Sequence, residues 1–452
     1  MQNHTLLRSL PKVDKFIEHK EFQNLSKIVL LPILRDALEA LRNDILADKI
    51  SEVNSNDLRQ NIVEQYNQIM TPSLQKVINA TGIIVHTNLG RSLINPESFD
   101  KAKEIATSYN NLEYDLEKGK RGERYSHLSS LFTKILDCED VLVVNNNASA
   151  VFLILNTFAK NKEVIVSRGE LVEIGGSFRI PEVMKNSGAK LVEVGATNKT
   201  HLCDYEDNIT ERTKILMKVH KSNYSIEGFT SEVEFTEIAK LAKEKDLIDY
   251  FDLGSGHLVD LPYGLSHSEP SLHDIMKDNP SLLSFSGDKL FGSVQAGIII
   301  GKKELITKLK KNQLLRMLRV DKLTLSILTQ DIQSMLLNKY KDLPTLNMLF
   351  KDVEELRKNA KVLVDQIKGA VSSEIIDTTT LIGGGSTPNK KIPSVAVTIQ
   401  IKNYSPNKIQ TLFRGKNIIG RIEDEKFLLD FRTIDMNDII YLTESIKCLA
   451  IS

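Results

Sequence analysis

Neither sign of charge is in excess in this sequence. Its 59 lysines and arginines are matched by 59 aspartates and glutamates, leaving a formal net charge of zero. Such a balance argues against one large basic clamp for nucleic acid and against an acidic tail. Long apolar runs are also missing. Ala296-Gly-Ile-Ile-Ile300 and Val141-Leu-Val-Val144 are among the longest, far short of the roughly 20 residues a membrane-spanning helix needs. Cysteine is scarce: Cys138, Cys203 and Cys448 are far apart and odd in number, so neither a disulfide framework nor a paired metal-ligand spacing is expected. The first residues, Met1 to Pro11, lack the basic start, apolar core and small-residue cleavage site of an export signal, and the expected location is the cytoplasm. No fixed-period repeat or low-complexity segment is present.

What the chain does have is length and a core. Its 452 residues are 41% hydrophobic, and at roughly 150 residues per domain the length suggests about three domains, as suits a large enzyme. Residues 1–70 carry apolar side chains at helical spacing (Phe16, Leu25, Ile28, Leu34, Leu38) and read as a small all-α domain closed by Pro72 and the Asn79-Ala-Thr-Gly82 turn. Residues 71–330 form a second domain. Within it, apolar runs at 141–144, 163–166, 190–194, 214–219, 247–251, 281–285 and 296–300 alternate with helical stretches such as 148–158, 178–185 and 235–245. That pattern predicts an α/β fold with a parallel sheet covered on both faces, whose active site lies at the carboxyl ends of the strands. Residues 331–452, with a helix at 351–367 and strands at 394–401 and 427–431, read as a smaller α+β domain.

Three segments of the α/β region carry chemistry. Ser286-Gly-Asp-Lys289 places one lysine after a strand, where a desolvated amine can form a Schiff base with an aldehyde cofactor; taken alone, a loop lysine is more often solvated. Asp252, after the 247–251 strand, opens into Gly254-Ser-Gly256 and can keep a cofactor's pyridine nitrogen protonated, although a lone aspartate there is more often a cap or turn former. Asn146-Asn-Ala-Ser149 joins a strand to a helix, where free N–H groups and the helix dipole favour a phosphate. In this chain order the three together make pyridoxal 5'-phosphate the leading cofactor. A second anion is suggested by Arg91 and by Arg316 and Arg319, three apart on one helical face, within a 302–322 segment of eight basic and two acidic residues, net +6. His86, His127 and His220 are further candidates, each more often structural than catalytic.

Longer motifs carry a resemblance. Ile78-Asn-Ala-Thr-Gly-Ile-Ile-Val-His-Thr-Asn-Leu-Gly-Arg91, Asn111-Leu-Glu-Tyr-Asp-Leu-Glu117, the 166–179 segment beginning Val166-Ser-Arg-Gly-Glu170, Ser286-Gly-Asp-Lys289, Leu318-Arg-Val-Asp-Lys322 and Ile419-Gly-Arg-Ile-Glu423 closely resemble the bacterial selenocysteine synthases, the L-seryl-tRNA(Sec) selenium transferases. The resemblance runs from about residue 75 to 440. It implies a fold-type I pyridoxal-phosphate transferase with a mostly parallel seven-stranded sheet, a tRNA-gripping helical N-terminal domain and assembly as a ring of dimers, a decamer. It implies conversion of L-seryl-tRNA(Sec) to L-selenocysteinyl-tRNA(Sec) with selenophosphate as donor, through a cofactor-bound dehydroalanyl-tRNA. Neither DNA nor a membrane is an expected partner. By position, Lys289 becomes the Schiff-base lysine and Asp252 the pyridinium partner. Asn146, Asn147, Ala148, Ser149 and Ser286 become cofactor contacts, and Arg91, Arg316 and Arg319 the donor's anion pocket. The sequence departs from the family pattern at Phe291-Gly-Ser-Val294, where Leu-Gly-Gly-Pro is more usual, and at His257. The alternative is a pyridoxal-phosphate lyase or desulfurase acting on a free amino acid, which needs a carboxylate-binding arginine, with Arg421 and Arg432 as candidates.

Overall fold

A computed structural model of the chain describes residues 2–174, 178–267, 269–383 and 386–451. It divides into two compact units, Met1–Lys76 and Val77–Ser452.

The first unit is helical, as the apolar spacing predicts. Its main helices are Lys27–Leu46 and Ser55–Met70. The second is started by Asn54, whose side-chain oxygen accepts the N–H groups of Asn56 and Asp57. Leu30, Ile33 and Leu34 from one helix and Ile62 and Tyr66 from the other close over Phe16 and Phe22 in a buried cluster. The Tyr66 hydroxyl accepts the Ser26 N–H at 2.9 Å, so the ring's polar end is satisfied where its body is buried.

Two larger sheets organise the second unit. Their strands in chain order are β1 (Ile78–Ala80), β2 (Asp140–Val144), β3 (Glu163–Ser167), β4 (Lys190–Val194), β5 (Thr213–Val219), β6 (Ile248–Gly254), β7 (Leu282–Ser286), β8 (Gly297–Gly301), β9 (Ser372–Gly383), β10 (Ser386–Gln400), β11 (Ile418–Glu423) and β12 (Lys426–Asp430). Seven of them, β2 to β8, form one sheet in the order β2-β8-β7-β6-β5-β3-β4. All its neighbours run parallel except β8, which is antiparallel to both β2 and β7. These are the seven strands expected from the sequence. Every residue of β2, β7 and β8 is buried, which is why they read as unbroken apolar runs.

The other sheet has the order β1-β11-β12-β10-β9. Helix Val353–Ile367, capped by Asp352 on the Glu355 N–H at 2.7 Å, buries Leu356, Ala360, Leu363 and Ile367 in this sheet's core. Two features were invisible to hydropathy. β9 is largely exposed or half-buried and carries no apolar run. β1 leaves the α/β region to pair in parallel with β11, Ile78 lying opposite Ile418. No helix among the described residues is long and apolar enough to cross a membrane.

Candidate active site

Because β2, β5, β6 and β7 are parallel, their carboxyl ends meet at one sheet edge, and the chemistry-bearing residues collect there. Asp252 lies on β6 between Val219 of β5 and Ser284 of β7. It is buried, and burial pushes its carboxyl up to about 6, against the pull of a hydrogen bond from Asn147 and the charge of Lys289. The Asn147 side-chain amide donates to Asp252 Oδ1 at 2.8 Å, tying the start of one helix to the end of β6.

Lys289 lies in the loop between β7 and β8. The Gly287 N–H donates to Ala296 O at 2.8 Å and the Ser293 N–H to Gly287 O at 2.8 Å, which closes the loop on itself. The lysine side chain is therefore drawn inward, and the residue is only 6% exposed. Burial lowers the proton affinity of its amine and the nearby Arg91 charge adds to that, while Asp252, Asp288 and Glu269 oppose it. A buried amine so depressed offers its neutral, nucleophilic form at lower cost than a solvated lysine. The Phe291–Val294 departure is absorbed by packing. Phe291 stacks with Phe132 at 6.2 Å and meets Phe285 at 5.5 Å, and the Ser293 hydroxyl donates to the buried Asp331, which also accepts from Ser98 at 2.6 Å.

The expected phosphate cup is the N-terminus of helix Asn147–Phe158. Asn146 caps it in extended conformation, and its Oδ1 takes the Ser149 N–H at 2.8 Å. This capping bond gives the Ser149 N–H a structural duty, and the N–H groups of Asn147 and Ala148 belong to the helix's first turn, where no intrahelical acceptor is available. Ser286 is brought to the same place, because Gly297 pairs with both Ser286 and Val144. A Cβ on Gly297 would come within 2.2 Å of Asn146 O, so only glycine lets β8 pass this close to the cup.

The arginines divide. Arg91, held at φ 61°, bonds Asp288 Oδ2 at 2.9 Å, immediately beside Lys289. Arg316 and Arg319 instead line a cavity of about 400 Å³ with Arg121, Arg124, Lys311 and Glu113; Arg91 is not among its lining residues. They do not share a helical face. The helix ends at Leu318, and Arg319 is extended, bridging to Val144 while the Asn145 N–H donates to Leu318 O at 2.8 Å. The cavity thus abuts the strand that leads into the phosphate cup. Glu113 is held below the usual carboxylate range by Arg124, with help from Arg121 and Arg319.

Of the histidines, His86 caps a short turn by accepting the Asn88 N–H, and burial lowers its proton affinity. His127 Nε2 lies 3.3 Å from Leu112 O. His220 is at the site: its N–H donates to Asp252 O at 3.0 Å, and its Nε2 lies 3.4 Å from the buried Glu269 carboxylate. His257 is buried between the carbonyls of Val259 and Glu269, a structural placement. Sequence reasoning missed Glu269, Asp288 and Ser222. Asp288 could have been found from its place beside Lys289, whereas the other two carry no local signal.

Among the buried polar atoms that lack partners among the described residues are Asn147 Oδ1 and Ser222 Oγ. Stranded acceptors and hydroxyls are costly unless a ligand completes them, so these residues fit a polar cofactor. Among the described residues no group of three metal-ligating side chains occurs.

The seven-stranded, mostly parallel sheet is that of the fold-type I pyridoxal-phosphate enzymes, and pyridoxal 5'-phosphate is the cofactor. D-glucosaminate-6-phosphate ammonia-lyase shares the fold, with a TM-score of 0.61 over 85% of this chain and 98% of that one at 17% identity. Sequence comparison is more specific. The family model described as L-seryl-tRNA selenium transferase (SelA) matches residues 77–435. Enzymes named L-seryl-tRNA(Sec) selenium transferase from Sulfurimonas denitrificans and Aliarcobacter butzleri are 64% and 61% identical, each over 98% of this chain and 99% of theirs. The chain belongs to the L-seryl-tRNA selenium transferase family.

Proposed function

We propose that this protein converts L-seryl-tRNA(Sec) to L-selenocysteinyl-tRNA(Sec), taking selenium from selenophosphate. Identity of 64% and 61% over nearly the whole chain to enzymes of that name supports the substrate and reaction. The observation that carries the chemistry is the buried Lys289 amine at one sheet edge with the Asn147-bound Asp252. When bound, pyridoxal phosphate condenses its aldehyde with an amine and draws electrons from the adjacent C–H bond into its ring. Asp252 holds the ring nitrogen's proton by charge. Asn147 and Ala148, at the start of the helix that Asn146 caps through the Ser149 N–H, and Ser286, at the end of β7, would hold the phosphate. Lys289 Nζ would take the α-proton, the β-hydroxyl would leave with a proton as water, and selenophosphate selenium would add to the β-carbon, its P–Se bond being cleaved by water to release phosphate.

The seryl carboxylate is esterified to the tRNA, so the site needs no arginine for it. Arg432 is spent on the carbonyls of Met348, Lys351 and Pro393, and Arg421 on Asp430, Thr81 and Thr378. These commitments weigh against a free amino acid as substrate. Arg316, which has no ion pair among the described residues, and Arg319 are assigned to the donor's phosphate, while Arg91, outside their cavity and paired with Asp288, is assigned to the lysine side of the site. Arg316→Ala should raise the KM for selenophosphate about tenfold or more while leaving the affinity for pyridoxal phosphate within about twofold, as steady-state kinetics and cofactor titration would show. Cofactor loss as the main effect would move Arg316 to the phosphate cup.

The helical unit is assigned to grip tRNA, and the chain to a ring of dimers working in the cytoplasm. Exposed apolar side chains at Leu93, Phe99, Ile105, Tyr109 and Leu116 support self-association. The deciding experiment supplies purified protein with pyridoxal phosphate, seryl-tRNA(Sec) and selenophosphate and scores selenium on the tRNA, with and without residues 1–76. Equal turnover of free serine or cysteine would replace this reading with the lyase one.

A further inference from the structure

Ser222 is 1% exposed, yet its hydroxyl has no partner among the described residues. A turn places it: the Ser222 N–H donates to His220 O at 2.9 Å, and the His220 N–H donates to Asp252 O at 3.0 Å. The turn is thus fastened to the strand that carries the carboxylate. Gly254, two residues beyond Asp252, separates Ser222 from the lysine. A Cβ at Gly254 would lie 3.7 Å from Ser222 Oγ and 3.9 Å from Lys289 Nζ, so both groups border the space that this missing side chain leaves open. Gly254 also holds φ 66°, a conformation that favours glycine, and this keeps the space empty.

Sheet order gives this space a side. Along the edge the phosphate cup follows β2, Lys289 follows β7, Asp252 and Gly254 end β6, and Ser222 follows β5. Ser222 therefore lies beyond the lysine and the carboxylate from the cup. Pyridoxal phosphate has a matching arrangement. Its ring nitrogen is opposite the carbon bearing the aldehyde, and that carbon is flanked on one side by the phosphate arm and on the other by the C3 oxygen. With nitrogen at Asp252, aldehyde at Lys289 and phosphate in the cup, the C3 oxygen falls on the Ser222 side.

We propose that Ser222 Oγ donates a hydrogen bond to the C3 oxygen of bound pyridoxal phosphate. This rests on the assignment of Lys289 as the lysine that the cofactor binds. The bond neutralises part of the negative charge on the C3 oxygen. Without it, that charge holds the proton on the neighbouring lysine nitrogen more tightly.

The test is a pH titration of the visible absorbance of the cofactor-loaded full-length protein, comparing wild type with Ser222→Ala and Ser222→Thr. Ser222→Ala should move the midpoint to higher pH by about one unit and weaken the cofactor about tenfold. Ser222→Thr, which keeps the hydroxyl, should stay near wild type. Cofactor-free Ser222→Ala should melt no lower than the cofactor-free wild type, because the hydroxyl has no partner to lose among the described residues. An unchanged midpoint in Ser222→Ala overturns the proposal. So does a shift or cofactor loss shared equally by Ser222→Thr, which would have a steric cause. A visible band that survives in Lys289→Ala would instead show that the lysine assignment had failed.

Discussion

Lys289→Ala should abolish the visible absorbance of the protein-bound cofactor and lower turnover roughly 10³-fold or more. The size of the effect follows from one amine having two duties, holding the cofactor and later moving the α-proton. Its burial, at 6% exposure in a loop closed by the Gly287–Ala296 and Ser293–Gly287 bonds, gives neither duty a substitute from solvent. Absorbance spectra and single-turnover selenium transfer check the two losses separately. Turnover retained within tenfold would remove Lys289 from the chemistry. Because the amine is buried with an already lowered proton affinity, the alanine variant should fold, and cofactor-free melting would verify that.

Asp252→Asn should lower turnover at least about a hundredfold, since a neutral amide cannot keep the ring nitrogen protonated by charge. The same residue predicts a pH effect. Burial raises the Asp252 carboxyl from 3.8 to about 6. Its contribution to stability in the cofactor-free protein is therefore present at low pH and lost as pH rises through about 6, above which a buried, ionised carboxylate opposes folding. A cationic ring nitrogen relieves that opposition only when Asp252 is ionised. Pyridoxal phosphate should accordingly raise the melting temperature more at about pH 7 than at about pH 5, and in Asp252→Asn the gain should lose this pH dependence. Equal gains in wild type at both values would show that Asp252 does not face the ring nitrogen.

The legibility of this site in the sequence was uneven, for physical reasons. Asp252 and Lys289 stood out as candidates because each follows an apolar strand and sits near glycines, signals that lie within a few residues. Asn146–Ser149 could be found the same way, but Asn146 also showed the competing use, spending its side chain on capping the Ser149 N–H. Arg316 and Arg319 were found as a pair and misplaced as one helical face, because a four-residue helix ends between them and its end is set by the contact of Leu318 with Asn145. Ser222 and Glu269 were missed entirely. A serine in a loop and a glutamate before Pro270 have no local mark, and only the approach of β5 to β6 and of the 255–269 segment to His220 gives them a place.

Local order was set by the chain itself: the seven strands, the helices between them and the glycine turns after β6 and β7 follow from burial period and backbone freedom, both short-range properties. The long motifs likewise carried the family, which whole-chain comparison with the named selenium transferases establishes. Tertiary structure decided which polar groups are spent and which are left over. Arg421 and Arg432 became internal ties and Arg91 joined Asp288, while the hydroxyl of Ser222 and the amide oxygen of Asn147 remained buried without a partner among the described residues. A residue's partners are fixed by contacts across the sheet, often more than a hundred residues distant in sequence, as from Asn147 to Asp252. The neutral charge balance showed none of this, because it records how many charges the chain has and not which of them meet.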